Sequence, residues 1–199
     1  MKGEIMLDQQ PGSEARIESG DAPDPRHGES VRRRSEGDRS DRVPVHVVWE
    51  ITLACNLRCS HCGSRAGRPR KGELDTAECL DLVHQLAALG TREISLIGGE
   101  AYLRLDWLEI IAAVSDAGIK CGLQTGGRAL TRTKIAAAAA AGLHAAGVSV
   151  DGPREIHDEL RGIRGSYDQC LRVIGDLAEE GIRPSANTQI NRRSAPHMR

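Results

Sequence analysis

Three cysteines, Cys55, Cys59 and Cys62, lie close together in the segment C-N-L-R-C-S-H-C. Their thiolates are soft ligands of the kind that binds iron-sulfur clusters and zinc. Clusters that only transfer electrons usually take four cysteines, and their bacterial signature has a different spacing. Three thiolates hold three irons of a cubane cluster and leave the fourth iron open. The spacing therefore predicts a cluster at which chemistry takes place.

A zinc knuckle and a set of reduced, buried cysteines are the two alternatives for these residues. A zinc site would take His61 or a distant residue as its fourth ligand. Structural zinc sites usually show a second pair of ligands, and none is visible in the sequence. The remaining cysteines, Cys79, Cys121 and Cys170, stand alone in predicted secondary structure. We predict that they are small core residues rather than ligands.

Alternating strand and helix patterns after Pro44 would position this loop. β-branched segments predict strands at 45–53, 93–97, 119–124, 145–150 and 183–190, and helix formers predict helices at 76–89, 106–117, 131–141 and 166–180. Gly90, Gly118, Gly142 and Gly181 each follow a predicted helix, as left-handed C-caps do. Repeated β-α units with right-handed crossovers predict an α/β fold, a partial (β/α) barrel of about five parallel strands.

Composition divides the chain into two parts. Residues 1–43 are rich in Gly, Ser, Pro and charged residues, which predicts a disordered N-terminal tail, and residues 44–199 form the predicted core domain. The net charge of -1 gives no reason to expect nucleic acid or an anionic membrane as partner. No apolar run is long enough to span a bilayer, and no secretory signal is present. Clustered cysteines then favour a reducing cytoplasm.

Further polar residues follow the predicted strands at the ends where β/α barrels build their active sites. The cysteines follow the first strand, and G-G-E follows the second. A Gly-Gly turn alone is weak support, because tight β-α connections use glycine for geometric reasons. We expect one rim to carry, besides the cysteines, Gly98, Gly99, Glu100, Gln124, Ser149 and Asp151.

The cysteine spacing and the G-G-E segment together resemble the radical SAM superfamily. The resemblance implies that Cys55, Cys59 and Cys62 ligate a [4Fe-4S] cluster whose open iron is chelated by S-adenosylmethionine (SAM). His61 stands where these enzymes place an aromatic or similar ring. Backbone at Gly98 and Gly99 and the Glu100 carboxylate would bind the amino end of SAM.

The strand ends resemble the same family less closely. Related peptide-modifying members often show Q-T-N-G where this chain has Gln124, Thr125, Gly126 and Gly127. Gln124 would contact the ligand or substrate, or it is an ordinary polar strand end. Ser149 would hydrogen-bond the ribose of SAM, and Asp151 would either join the site or cap the following turn.

The segment H-D-x-x-R-G, from His157 to Gly162, and the following G-S-Y resemble that peptide-modifying subgroup. Arg161 would pair with a SAM carboxylate or, as we favour, with a neighbouring acid. His157 is a proton carrier or, as is more common, a surface or capping residue. Asn187 and Gln189 share a face of the last predicted strand and would reach the pocket or serve packing.

Two aromatic residues follow G-G-E. Tyr102 and Trp107 would line the site or pack the adjoining helix, and core packing is favoured for Trp107.

The implied activity is reductive cleavage of SAM, followed by hydrogen abstraction from a substrate by the 5′-deoxyadenosyl radical. Flavodoxin or ferredoxin would donate the electron. The segment G-G-E-A-Y-L looks most like maturases (nif11-class and SPASM-type) that modify ribosomally made precursor peptides. The resemblance covers about residues 45–191, whereas family members usually continue to a sixth strand. The alternative is therefore a truncated, non-catalytic or partner-dependent module that binds a cluster, SAM or zinc.

Overall fold

A single parallel sheet organises residues 43–198, which the computed structural model describes. Its strands lie in sequence order, and each pairs in parallel with the next. The strands are β1 His46–Thr52, β2 Glu93–Gly98, β3 Lys120–Thr125, β4 Leu143–Ser149 and β5 Arg183–Asn187. The predicted α/β fold with five parallel strands is confirmed. The disordered tail predicted for residues 1–43 lies outside the described residues, except for its last position.

Five helices and two short 3-10 segments connect and follow the strands within the described residues. The helices are α1 Thr76–Ala88, α2 Trp107–Asp116, α3 Arg132–Ala140, α4 Arg154–Arg161 and α5 Ser166–Glu179, and the 3-10 segments are Ala101–Leu103 and Ala195–His197. Helix α1 begins at a capping box: the Asp75 carboxylate accepts from the Glu78 backbone N–H, and the Glu78 carboxylate accepts from that of Asp75. The four predicted C-cap glycines all have positive φ.

Helix α4 and the end of β5 differ from the sequence prediction. Helix α4 was not predicted, because its eight residues, REIHDELR, contain only two apolar side chains. Pro153 precedes it, and Gly162, with φ 68°, ends it in the left-handed conformation. Strand β5 ends at Asn187, three residues before the predicted end.

One hydrophobic core lies between the sheet and the helices. Alternate strand residues such as Ile94, Leu96 and Leu123 are fully buried and belong to one cluster with residues of α2 and α5. Cys79, Cys121 and Cys170 are buried in this cluster, as predicted.

The aromatic residues after G-G-E pack in the same core. Tyr102 and Trp107 are buried and pack edge to face, with ring centroids 6.3 Å apart. The prediction that Trp107 packs in the core is confirmed.

The other face of the sheet is more open, since Val48 on that face is 56% exposed. None of the helices in the described part of the chain is long and apolar enough to cross a membrane.

Candidate functional site

The three cysteines lie on a loop of residues 53–67, the cysteine loop, whose base is closed by backbone hydrogen bonds. Gly67 donates to the Leu53 carbonyl at 2.8 Å, and its own carbonyl accepts from Cys55 at 3.1 Å. The Glu73 carboxylate also accepts from the Leu53 N–H at 2.8 Å. These bonds fix both ends of the loop at the C-terminal end of β1.

The far side of the cysteine loop is held by helix α4. The Ser60 N–H donates to the carbonyl of Leu160 at 2.9 Å. At the end of this helix, a Cβ on Gly162 would lie 2.8 Å from the carbonyl oxygen of Arg58, a contact that real Cβ atoms do not make. The helix that the sequence did not predict thus anchors the cysteine loop, and glycine at its C-cap allows the loop to approach.

Two glycines at the end of β2 allow close packing against the segment that leads from β1 into the cysteine loop. A Cβ on Gly98 would lie 2.1 Å from the Thr52 carbonyl oxygen, and one on Gly99 would lie 2.1 Å from that of Ala54. The N–H groups of Gly99 and Glu100 donate to these same two carbonyls at 2.9 and 2.8 Å. The backbone at Thr52 and Ala54 therefore occupies the space that the missing side chains of these two glycines leave free.

Each cysteine sulfur accepts one N–H hydrogen bond. The three pairs are Cys55 Sγ with the Leu57 backbone at 3.4 Å, Cys62 Sγ with the Ala66 backbone at 3.4 Å, and Cys59 Sγ with Nη1 of Arg161 at 3.6 Å. Burial raises the pKa of Cys55 and Cys59, and Arg161 opposes part of this rise at Cys59. N–H donors of this kind stabilise thiolates and tune bound clusters.

A cavity of about 410 Å³ lies between the cysteine loop and the strand ends. All three cysteines line it. They are joined by His61, Gly98, Gly99, Glu100, Gln124, Gly126, Ser149, Arg161 and Gln189. The structure thus brings the predicted site residues to one cavity, with Asp151 as the exception.

Glu100 is almost completely buried at the cavity wall. Its two carboxylate oxygens accept from the Thr125 hydroxyl at 2.5 Å and from the Gly126 N–H at 2.7 Å. Burial raises the pKa of this carboxyl to about 7, and the two hydrogen bonds oppose part of the rise. Glu100 therefore sits in a fixed orientation, where it would accept hydrogen bonds from a cationic ligand group.

Gly126 occupies a position with no room for a side chain. A Cβ there would lie 2.2 Å from Cδ1 of Leu57 and 2.9 Å from a carboxylate oxygen of Glu100. A larger residue at this position would require the side chains of Leu57 and Glu100 to move. Neither Leu57 nor the Gly126 N–H was singled out from the sequence, because their contacts join segments far apart in the chain.

The amides of β3 and β5 meet over β4. Asn187 Nδ2 donates to Gln124 Oε1, and a Cβ on the intervening Gly147 would lie 2.1 Å from that oxygen. Gln124 lines the cavity, and its hydrogen bond with Asn187 holds its side-chain amide in place. Gln189, beyond the end of β5, also lines the cavity, as Ser149 does at the end of β4.

Asp151 is fully buried beneath the cavity wall and contacts three of the residues that line it. One carboxylate oxygen accepts from Nε and Nη2 of Arg161 at 2.8 and 2.7 Å, and it lies 3.4 Å from Nε2 of His61. The other accepts from the Gln189 N–H at 3.1 Å. Arg161 thus pairs with a neighbouring acid, the favoured interpretation. Burial lowers the pKa of His61.

His157 is fully buried, so the prediction that it is a surface residue was wrong. Its Nδ1 accepts from the Asp151 N–H at 3.1 Å, so the ring proton lies on Nε2, which is 3.1 Å from the Ser166 hydroxyl. Burial lowers the pKa of His157 and favours this neutral form. The residue joins β4, α4 and α5 without lining the cavity.

The donor set fits a multi-iron cluster. Among the described residues, no three His, Cys, Asp or Glu side chains converge as ligands of one metal ion. The three thiols line one cavity with an N–H donor at each sulfur, and in a cubane each thiolate would bind a different iron. These residues are suited to hold a cluster and a ligand beside it.

Comparisons with known proteins identify the family of this chain. The sequence profile of the radical SAM superfamily matches residues 49–191. The chain is 34% identical over 155 residues to the AdoMet-dependent heme synthase of Oleidesulfovibrio alaskensis, with 77% of this chain and 40% of that protein covered. It is 33% identical over 148 residues to the mycofactocin maturase MftC of Mycobacterium tuberculosis, with 73% and 37% covered.

A solved structure shows the same fold. Streptococcus suis SuiB bound to S-adenosylmethionine has a TM-score of 0.69 at 19% identity, with 78% of this chain and 36% of that chain covered. SuiB bound to precursor peptide SuiA gives 0.68. The chain spans about 40% of the length of the curated relatives that it matches. Because the family profile covers most of the sequence and includes the cysteine loop, the chain belongs to the radical SAM superfamily.

Proposed function

We propose that this chain binds a [4Fe-4S] cluster through Cys55, Cys59 and Cys62 and cleaves S-adenosylmethionine reductively. The observation that carries the proposal is the single cavity that the three thiols share with the strand-end residues. Cluster and SAM together supply a radical that abstracts hydrogen, a reaction that the protein supports by positioning and by excluding water.

The cavity residues have separate roles in this proposal. The Glu100 carboxylate accepts hydrogen bonds from the SAM amino group, and the Thr125 hydroxyl and Gly126 N–H hold it in place. The Ser149 hydroxyl binds the ribose. Gln124, held by Asn187, contacts the ligand or the substrate. His61 packs beside the cysteines. Asp151 lies beneath the cavity wall and orients His61 and Arg161 through its carboxylate.

A ribosomally made precursor peptide is the substrate we favour. The likeness to mycofactocin maturase and the segment G-G-E-A-Y-L support this choice. SuiB, which shares the fold, has been crystallised with its precursor peptide SuiA.

An iron tetrapyrrole is the second candidate substrate, because the heme synthase is at least as similar in sequence as the peptide maturase. Adding a nif11-class precursor peptide or an iron porphyrin separates the two candidates. We expect the peptide, and not the porphyrin, to increase 5′-deoxyadenosine formation and to change in mass.

The electron donor is proposed to approach the side of the cysteine loop that faces away from the strand ends. A second cavity of about 750 Å³ on this side is lined by the cysteines and by Arg58, Arg65, Arg68 and Arg128, which we call the arginine face. Residues 53–72 contain five basic and no acidic residues. A positive patch of this kind steers an acidic one-electron donor, such as flavodoxin or ferredoxin, toward the cluster.

The cluster proposal is tested by anaerobic reconstitution with iron and sulfide, followed by reduction and addition of SAM. We expect about four irons per chain and release of 5′-deoxyadenosine. Cys59→Ala should lose the cluster, whereas Cys121→Ala, which removes a core thiol, should keep it. A full cluster that yields no 5′-deoxyadenosine with reductant and SAM present would overturn the enzymatic proposal. Binding of zinc without iron incorporation would overturn the cluster assignment.

A further inference from the structure

Of the three N–H donors to the cysteine sulfurs, only one comes from a side chain. Leu57 and Ala66 donate from the backbone of the cysteine loop itself, two and four residues after the cysteine that accepts. Arg161 donates to Cys59 from 102 positions along the chain. It is also the only charged donor of the three. A charge at this position acts on the cluster more strongly than a peptide dipole does.

The guanidinium of Arg161 is held in a defined orientation. Nε and Nη2 both bind one oxygen of Asp151, which leaves Nη1 directed at Cys59 Sγ. Asp151 is fully buried and the Arg161 side chain is 11% exposed. The ion pair is therefore an oriented dipole whose positive end faces the sulfur. A planar guanidinium serves a carboxylate and a second acceptor at once, which an ammonium group does not do as well.

We propose that Arg161, oriented by Asp151, raises the reduction potential of the cluster through its N–H···Sγ bond to Cys59. Reduction adds one negative charge to the cluster, and a cation beside a ligating sulfur stabilises the reduced form more than the oxidised form. Hydrogen bonds to cluster sulfurs and local net charge are known determinants of such potentials. The effect is strong here because burial limits screening by water. Arg161 is thus a positioning and tuning residue.

The inference depends on the cluster part of the proposed function, but not on SAM cleavage or on the substrate. The test is an anaerobic titration of the reconstituted protein, with the reduced cluster followed by electron paramagnetic resonance. We expect Arg161→Gln to lower the midpoint potential, so that the ratio of reduced to oxidised cluster at a fixed solution potential falls about tenfold, equivalent to about 59 mV for one electron. Arg161→Lys should shift it in the same direction by less.

Arg154→Gln is the matched control. Arg154 lies on the same helix and pairs with Asp168, but it is half exposed and contacts no cysteine. Its substitution should leave the potential unchanged. If Arg161→Gln and Arg161→Lys both hold a full cluster at the wild-type potential, the inference is wrong and Arg161 is only structural.

A second measurement detects the guanidinium nitrogen beside the cluster directly. Wild-type protein is prepared with arginine carrying ¹⁵N only in the guanidinium group, and pulsed electron paramagnetic resonance is recorded on the reduced cluster. A ¹⁵N coupling that the wild type shows and labelled Arg161→Lys loses supports the Arg161 bond, because the arginines of the arginine face keep their label in both proteins. The absence of coupling would overturn it. A preparation without a cluster fails the proposed function instead, so the two failures are distinguishable.

Discussion

The two sides of the cysteine loop are built in opposite ways. The side toward the strand ends, the cavity face, is assembled from residues spread between positions 97 and 189, with glycines packed against backbone carbonyls. The arginine face is exposed, and most of it is one continuous stretch of sequence. The cavity face therefore depends on short-range packing, which a single methyl group disrupts. The arginine face depends on a long-range field, which a single substitution only weakens.

The largest effect is expected on the cavity face, from Gly99→Ala. The new methyl group would lie 2.1 Å from the Ala54 carbonyl oxygen and 2.8 Å from Cβ of Cys55, so backbone must move. We expect a loss on the order of 3 kcal/mol in the free energy of unfolding, together with reduced iron incorporation. Urea denaturation measures the free energy of unfolding, and iron analysis after reconstitution measures iron incorporation.

Gly175→Ala is the matched control for this substitution. Gly175 lies inside helix α5, and nothing is within 4 Å of its added Cβ. Alanine should stabilise the helix by about 1 kcal/mol and leave iron binding unchanged. If the two variants had the same stability and the same iron content, close packing at Gly99 would not be what the cavity face depends on.

The next effect concerns pH and Glu100. Because the pKa of this carboxyl is about 7 in the folded chain against 4.5 ordinarily, the folded state keeps a proton that the unfolded state releases between these values. Stability therefore falls as pH rises through this window. Glu100→Gln removes this contribution, which amounts to about 3 kcal/mol at most, since one pKa unit corresponds to about 1.4 kcal/mol.

The measurement is urea denaturation of cluster-free protein at pH 5 and pH 8, with and without Glu100→Gln. The wild type should lose more stability than the variant between the two pH values. The buried histidines are the same in both proteins and do not contribute to the difference. Parallel pH dependence in the two proteins would show that Glu100 ionises normally.

The smallest effect is expected on the arginine face, from Arg68→Glu. Electron transfer from flavodoxin or ferredoxin should slow about threefold at low salt and approach the wild-type rate at high salt, because exposed charges are screened. Reduction by dithionite should be much less affected. Stopped-flow absorbance of the cluster measures both rates. Arg92→Glu makes the same charge change beside the start of β2, at the end of the sheet opposite the cysteine loop, and an equal slowing there would contradict the proposed approach.

Local sequence patterns predicted most of the fold. All five predicted strands lie within three residues of the observed bounds, and Asp75 with Glu78 forms a capping box that four residues are enough to specify. The short helix α4 was missed, because two apolar side chains give too little periodicity. Yet this helix supplies both the Leu160 carbonyl that binds the cysteine loop and the Arg161 side chain that binds Cys59. The burial of His157 was missed because α4 was not predicted, and this burial depends on α4 and α5 together.

The sequence by itself determined the thiol chemistry available on one loop and the alternation of parallel strands with helices, because cysteine spacing, glycine turns and β-α repetition are properties of neighbouring residues. Only the tertiary structure decided which groups support that chemistry. Asp151 lies beneath the cavity wall and orients Arg161, Leu57 fills the space beside Gly126, and Thr125 holds Glu100. These contacts join segments up to 102 residues apart, and no local pattern encodes a contact that exists only once the sheet has formed.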